Sequence, residues 1–87
     1  MATFAAELRR YMDGRGVGVR KLGQAAGLDH SVIAKVLRGD RVPSMAFAAA
    51  TIEALELPKA QARRLLLLAV AEHLPEERRE WLRGLVK

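Results

Sequence analysis

The chain contains no cysteine. That absence excludes disulfide staples, thiolate-held zinc and thiol nucleophiles, and it permits a reducing compartment. Histidine is scarce too. His30 and His73 stand far apart, and neither falls in a spacing that metal ligands adopt. Long apolar runs are missing: the longest, Leu65 to Ala71, is well short of the roughly 20 residues that cross a bilayer. The opening Met-Ala-Thr-Phe-Ala-Ala-Glu has no charged lead followed by an apolar stretch, so no signal peptide is expected and the protein is expected to be cytoplasmic. No period-two alternation, low-complexity segment or internal repeat is visible. No nucleophile lies beside a base, and there is neither a metal set nor a cofactor loop, so the expectation is a non-enzyme without cofactor or small-molecule substrate. Gly14, Gly16 and Gly18 come nearest to a phosphate-cradling loop, but no strand precedes them and no Gly-Lys-Ser/Thr follows. Glu76, Glu77 and Glu80 are interleaved with Arg78, Arg79 and Arg83, the pattern of a solvated helix face rather than a carboxylate pair.

What remains is short, apolar enough and basic. At 87 residues the chain is expected to form one domain over 1–87, and 51% hydrophobic residues suffice for a modest core. The formal charge is +5, with a pI near 10.5. Its distribution is more informative than its size. Arg15, Arg20, Lys21, Lys35, Arg38 and Arg41 are opposed between residues 15 and 41 only by Asp29 and Asp40. From Ser44 onward, basic and acidic residues nearly balance. The excess positive charge therefore belongs to the first half, as a polyanion-binding surface there would require.

Apolar spacing predicts helices throughout. Phe4, Leu8, Tyr11 and Met12 share one face of a first helix, which Gly14 and Gly16 are expected to end. A second starts at Gly18 or Val19 and runs to about Ala26, with Leu22 and Ala25 or Ala26 inward. Gly27 follows it as a turn residue. Asp29 is a good N-cap for a third helix over 30–37, with Ile33 and Val36 toward the core and Val32 and Leu37 on its margins. Gly39 stops it. After the loop Gly-Asp-Arg-Val-Pro-Ser, Ser44 caps a fourth helix, with Met45, Ala48, Ala49, Ile52 and Leu55 on its expected inner stripe. Pro58 opens a fifth, to about Glu72, and Pro75 a last one carrying Trp81, Leu82, Leu85 and Val86 on one side. His73, near a helix C-terminus, is expected to be structural.

The segment from Val19 to Gly39 holds the functional signal. Two short helices joined by a tight glycine turn cross steeply, and a small residue is needed where they touch. Gly23 is that residue, four before Gly27. Leu22, Leu28, Ile33 and Val36 form a seam beneath the second of these helices. His30, Ser31, Ala34, Lys35 and Arg38 are left on its free face.

In these residues, and in the following Arg38-Gly39-Asp40-Arg41-Val42-Pro43-Ser44 loop, the chain resembles the Cro and lambda-repressor-like (XRE-type) helix-turn-helix proteins. The resemblance covers residues 4–57; residues 58–87 extend beyond it. Where the family commonly carries a serine N-cap and then glutamine, this chain has Gly18 and Val19, and Gly23 stands where alanine is usual. The resemblance implies an all-α fold with a helix-turn-helix core and two further C-terminal helices, and it implies binding to double-stranded DNA. Its base-reading positions fall on His30, Ser31 and Lys35, with Val32 within reach of a thymine methyl. Arg20, Lys21, Arg38 and Arg41 are the expected phosphate contacts.

The function so implied is a transcriptional regulator, a repressor, that reads a palindromic operator as a homodimer and is nucleoid-associated. Leu67, Leu68, Trp81, Leu82 and Leu85 are the candidate dimer surface, since one such module covers little DNA alone. The rival functions are a protein-interaction module on the same fold, such as an antitoxin or adaptor subunit, and a sequence-independent nucleoid-type binder. A composition rich in Ala, Arg, Leu and Val suggests a bacterial or phage source.

Overall fold

The computed structural model describes residues 2–78 and 84–85. Over them the chain forms α1 (Phe4–Arg15), α2 (Val19–Ala26), α3 (His30–Leu37), α4 (Met45–Ala54) and α5 (Lys59–Glu72), and residues 76–78 begin a further helical segment. No strand is present among the described residues. None of their helices is long and apolar enough to cross a membrane.

Local chemistry sets most helix ends. Thr3 Oγ1 accepts from the Ala6 N–H at 3.1 Å, and Ser44 Oγ accepts from the Phe47 N–H at 3.0 Å, each satisfying a donor that has no partner within its helix. The end of α1 falls later than the glycine spacing suggests. Gly14 lies inside the helix, and the chain turns at Gly16 (φ 64°), where Gly16 N–H donates to Asp13 O and Val17 N–H to Met12 O. That pair of bonds holds the half-buried Val17 against the core, so the second glycine stops the helix and the first does not. The last turn of α4 closes with the same bond pattern, from Glu56 and Leu57 to Glu53 and Ile52, around a residue that is not glycine: Glu56 has φ 50°.

The five helices wrap one apolar centre. Leu8, Leu22, Ile33 and Leu65 are fully buried there, one each from α1, α2, α3 and α5, and the Phe4 and Phe47 rings meet at 6.1 Å between centroids. Burying a side chain of that size contributes roughly 1.5–3 kcal/mol, so this centre is what holds the short α2 and α3 in place. Leu37 is also buried, deeper than its expected marginal place.

Two inner stripes differ from the expected ones. On α4 the buried residues are Phe47, Ala48 and Thr51, followed by Leu55, whereas Met45 and Ala49 face solvent. This helix is apolar around most of its circumference, so periodicity alone cannot choose its inner face. Contact with α2 and α5 chooses it. On α2, Leu22 and Gly23 are buried, Ala26 is half-buried and Ala25 is exposed.

Along the leucine run of α5, Leu65 and Leu68 are buried and Leu66 and Leu67 half-buried. Leu68 is therefore committed to the chain's own core and is not available to a second copy. Two polar residues share the interior. Thr51 Oγ1 donates to Ala48 O at 2.8 Å, and the Glu7 carboxylate receives Arg64 Nε at 3.0 Å and Arg10 at 3.2 Å.

Candidate nucleic-acid interface

The corner between α2 and α3 is built by two glycines with different duties. Gly27 adopts φ 69° and ψ 31°, a left-handed conformation that costs most residues about 1–2 kcal/mol and glycine almost nothing. Both its N–H and that of Leu28 turn back to Gly23 O. Gly23 serves by lacking a side chain: a Cβ there would stand 2.7 Å from Leu28 O, with His30 backbone atoms 3.5–3.6 Å away. The start of α3 can therefore lie directly on α2.

Asp29 then caps α3, accepting from the Ser31 N–H at 2.9 Å. Its carboxyl is held below the usual carboxylate range, first by that backbone bond, then by the Ser31 hydroxyl, with smaller help from the charges of His30 and Lys35. Ile33, Val36 and Leu37 anchor the inner side of the helix. The outer side presents His30, Ser31 and Lys35, all exposed, with Ala34 half-covered between them. These three side chains were expected to share one face, and they do. Val32 does not join them: it is half-buried and packs on the core beside Val36 and Phe47, which leaves a thymine-methyl contact poorly served.

The expected phosphate contacts are all exposed, on α2, just after α3 and on the loop that follows. Arg20 and Lys21 are exposed in the first turn of α2, whose N-cap, Gly18, offers no side-chain hydrogen bond. Cations at a helix N-terminus oppose the helix dipole, and an incoming anion relieves the conflict. Arg41 is exposed on the loop after α3. Arg38 is exposed as well, but its Nε donates to Asp40 at 3.0 Å, so part of its charge is already answered.

Gln24 is a residue the sequence left unmarked. It lies one turn after Arg20 and lines a shallow cleft with Arg20, Asp29 and His30. The i, i+4 spacing from Arg20 was the available signal. His73 also has a sharper role than its position suggested. Its Nε2 lies 2.7 Å from Pro43 O and ties the end of α5 to the loop that carries Arg41.

Of the candidate dimer residues, Leu67 is half-buried and Leu85 is 58% exposed, and both line a cleft between α1 and α5. Trp81 and Leu82 lie outside the described residues. Among the described residues no group of three or more His, Asp or Glu side chains is placed to hold a metal ion.

Against known proteins, a family model described as a helix-turn-helix domain matches residues 3–65, taking in α1 to α4 and the first half of α5. No curated protein and no solved structure gives a match.

Proposed function

The chain belongs to the helix-turn-helix domain family, and from that premise we propose that it is a sequence-specific transcriptional regulator, a repressor, that lays α3 in the major groove of DNA. The observation that carries this function is the exposed trio His30, Ser31 and Lys35, set on a helix whose other side is anchored by Ile33, Val36 and Leu37. Side chains held on a rigid support can be presented to base edges with little loss of freedom on binding. Lys35 can donate to guanine O6 and N7, and His30 can donate or accept according to its protonation. Arg20, Lys21 and Arg41 supply the phosphate contacts that set register, with Arg38 a weaker contributor because of Asp40.

A homodimer on a palindromic site is part of the proposal. It is supported by the small footprint of one such module and by the exposed Leu85 beside Leu67.

Selection of bound sequences from random duplexes tests all of this together. The expected output is a symmetric motif with half-sites about one helical turn apart. Ser31→Ala combined with Lys35→Ala is expected to remove discrimination between that motif and random DNA while leaving helicity and melting unchanged. If about six phosphates are neutralised in each half-site, affinity falls with salt at a log–log slope of about −5 per half-site, or about −11 for a dimer on both. Retained discrimination in the double variant would show that α3 is not the reading helix. Salt-sensitive binding with no motif would make the protein a nucleoid-type coat, and the absence of DNA affinity would make it a protein-interaction module.

A further inference from the structure

The cap of α3 has a second consequence. Asp29 Oδ1 accepts not only the Ser31 N–H but also the Ser31 hydroxyl, both at 2.9 Å. A serine hydroxyl carries one proton and two lone pairs, and left alone it rotates to suit either a donor or an acceptor. Beside an ionised carboxylate that freedom is lost. The carboxylate can only accept, the bond to it is charge-assisted, and its depressed pKa keeps it ionised across the neutral range. The hydroxyl proton is thereby committed to Asp29, while Ser31 itself is exposed. What Ser31 offers to a partner is lone pairs.

We propose that Asp29 is a specificity-determining positioning residue: it turns Ser31 into an obligate hydrogen-bond acceptor, so that at one position of each half-site the protein selects a base bearing an amino group, adenine or cytosine, over guanine or thymine. The inference rests on α3 being the helix that enters the groove. The major groove offers two kinds of base donor, adenine N6 and cytosine N4, whereas guanine O6 and N7 and thymine O4 all accept. An acceptor-only Ser31 bonds to the first pair. Against a keto oxygen it meets lone pair with lone pair, unless the hydroxyl lets go of Asp29 and leaves that carboxylate without its bond. Serine alone would read bases indifferently. Serine held by an aspartate at the N-cap does not.

The experiment takes the motif selected by the unaltered chain and measures affinity for duplexes carrying each of the four bases at each position. It compares that chain with Asp29→Gly and Ser31→Ala. Glycine is a tolerable N-cap, so the helix is retained while the acceptor is removed. The unaltered chain is expected to favour adenine or cytosine at one position per half-site by about three- to tenfold, the range of a single net hydrogen bond. Both variants are expected to compress that ratio to within about twofold at that position; Ser31→Ala is expected to leave the rest of the motif unchanged, whereas Asp29→Gly also removes the carboxylate 4.0 Å from His30 Nδ1.

If Asp29→Gly fails to fold, Asp29→Asn keeps the cap but holds the hydroxyl with a neutral bond, and the same ratio is expected to narrow. An unchanged ratio in the Asp29 variant overturns the proposal. So does a ratio that survives in Ser31→Ala, which would assign the preference to an Asp29 oxygen reading cytosine directly. Failure to select any motif is a separate result: it removes the DNA-reading function, and this inference with it.

Discussion

Gly23 shows how one missing methyl sets the geometry of the interface. Sequence spacing marked it as a close approach, and its absent Cβ would press on Leu28 O, a backbone atom that cannot swing aside as a side chain can. Two effects oppose each other in Gly23→Ala. Alanine gains up to about 1 kcal/mol of helix propensity, while overpacking a fixed contact costs about 1–3 kcal/mol. The contact is expected to win, leaving the variant about 1 kcal/mol less stable in chemical denaturation, with α3 displaced from α2 and DNA affinity lowered. A variant as stable as the parent would mean that the two helices do not touch at this point. At the same scale, Gln24 was legible only as a polar residue, because its place in the cleft beside His30 depends on how α2 meets α3.

Helix ends are where local chemistry and element length are decided together. At the ends of α1 and α2 the left-handed position is occupied by glycine, but at the end of α4 it is occupied by Glu56. A residue with a Cβ costs about 1–2 kcal/mol in that conformation, and glycine's extra freedom in the unfolded chain returns part of this. Glu56→Gly is therefore expected to be about 1 kcal/mol more stable than Glu56→Ala in thermal or urea unfolding. That is the reverse of the order at a mid-helix position such as Ala50. Equal stabilities would argue against the left-handed turn. Sequence patterning located α1 to α5 well because glycine, proline and capping residues punctuate them. It misplaced the inner face of α4, where Met45 and Ala49 were expected inside and Phe47 and Thr51 are found there. An element apolar on nearly every side carries no directional signal, and its facing comes from its neighbours.

At the scale of the whole molecule, α1 and α5 are joined by an ion pair across a sequence separation of 57 residues. Burial pushes the Glu7 carboxyl up, but the bonds and charge of the Arg64 guanidinium and the charge of Arg10 outweigh it, and the carboxyl titrates below its ordinary value. A group with a lowered folded pKa adds stability above its unfolded pKa and loses it as pH falls through the folded one. The protein is thus expected to lose stability on acidification below the usual glutamate range. Glu7→Gln should flatten that part of the pH profile and cost about 1–2 kcal/mol near neutrality, since Arg64 would keep an amide acceptor at this position but lose the Glu7 charge. An identical acid limb in the variant would show that Glu7 is not the group responsible. Arg10 is largely exposed and is expected to matter little. Nothing in the sequence paired Glu7 with Arg64, because ion pairs between distant helices leave no periodic trace.

The sequence by itself determined the helical class, the glycine corner and the exposure of His30, Ser31 and Lys35, because each follows from short-range rules: helical period, capping chemistry and the steric freedom of glycine. Tertiary structure alone decided the rest. It buried Leu68 in the core, turned α4 on its axis and placed Glu7 against Arg64. It also tied His73 to the loop after α3. These are outcomes of several helices competing for one small apolar interior, and no single helix contains the information that settles the competition.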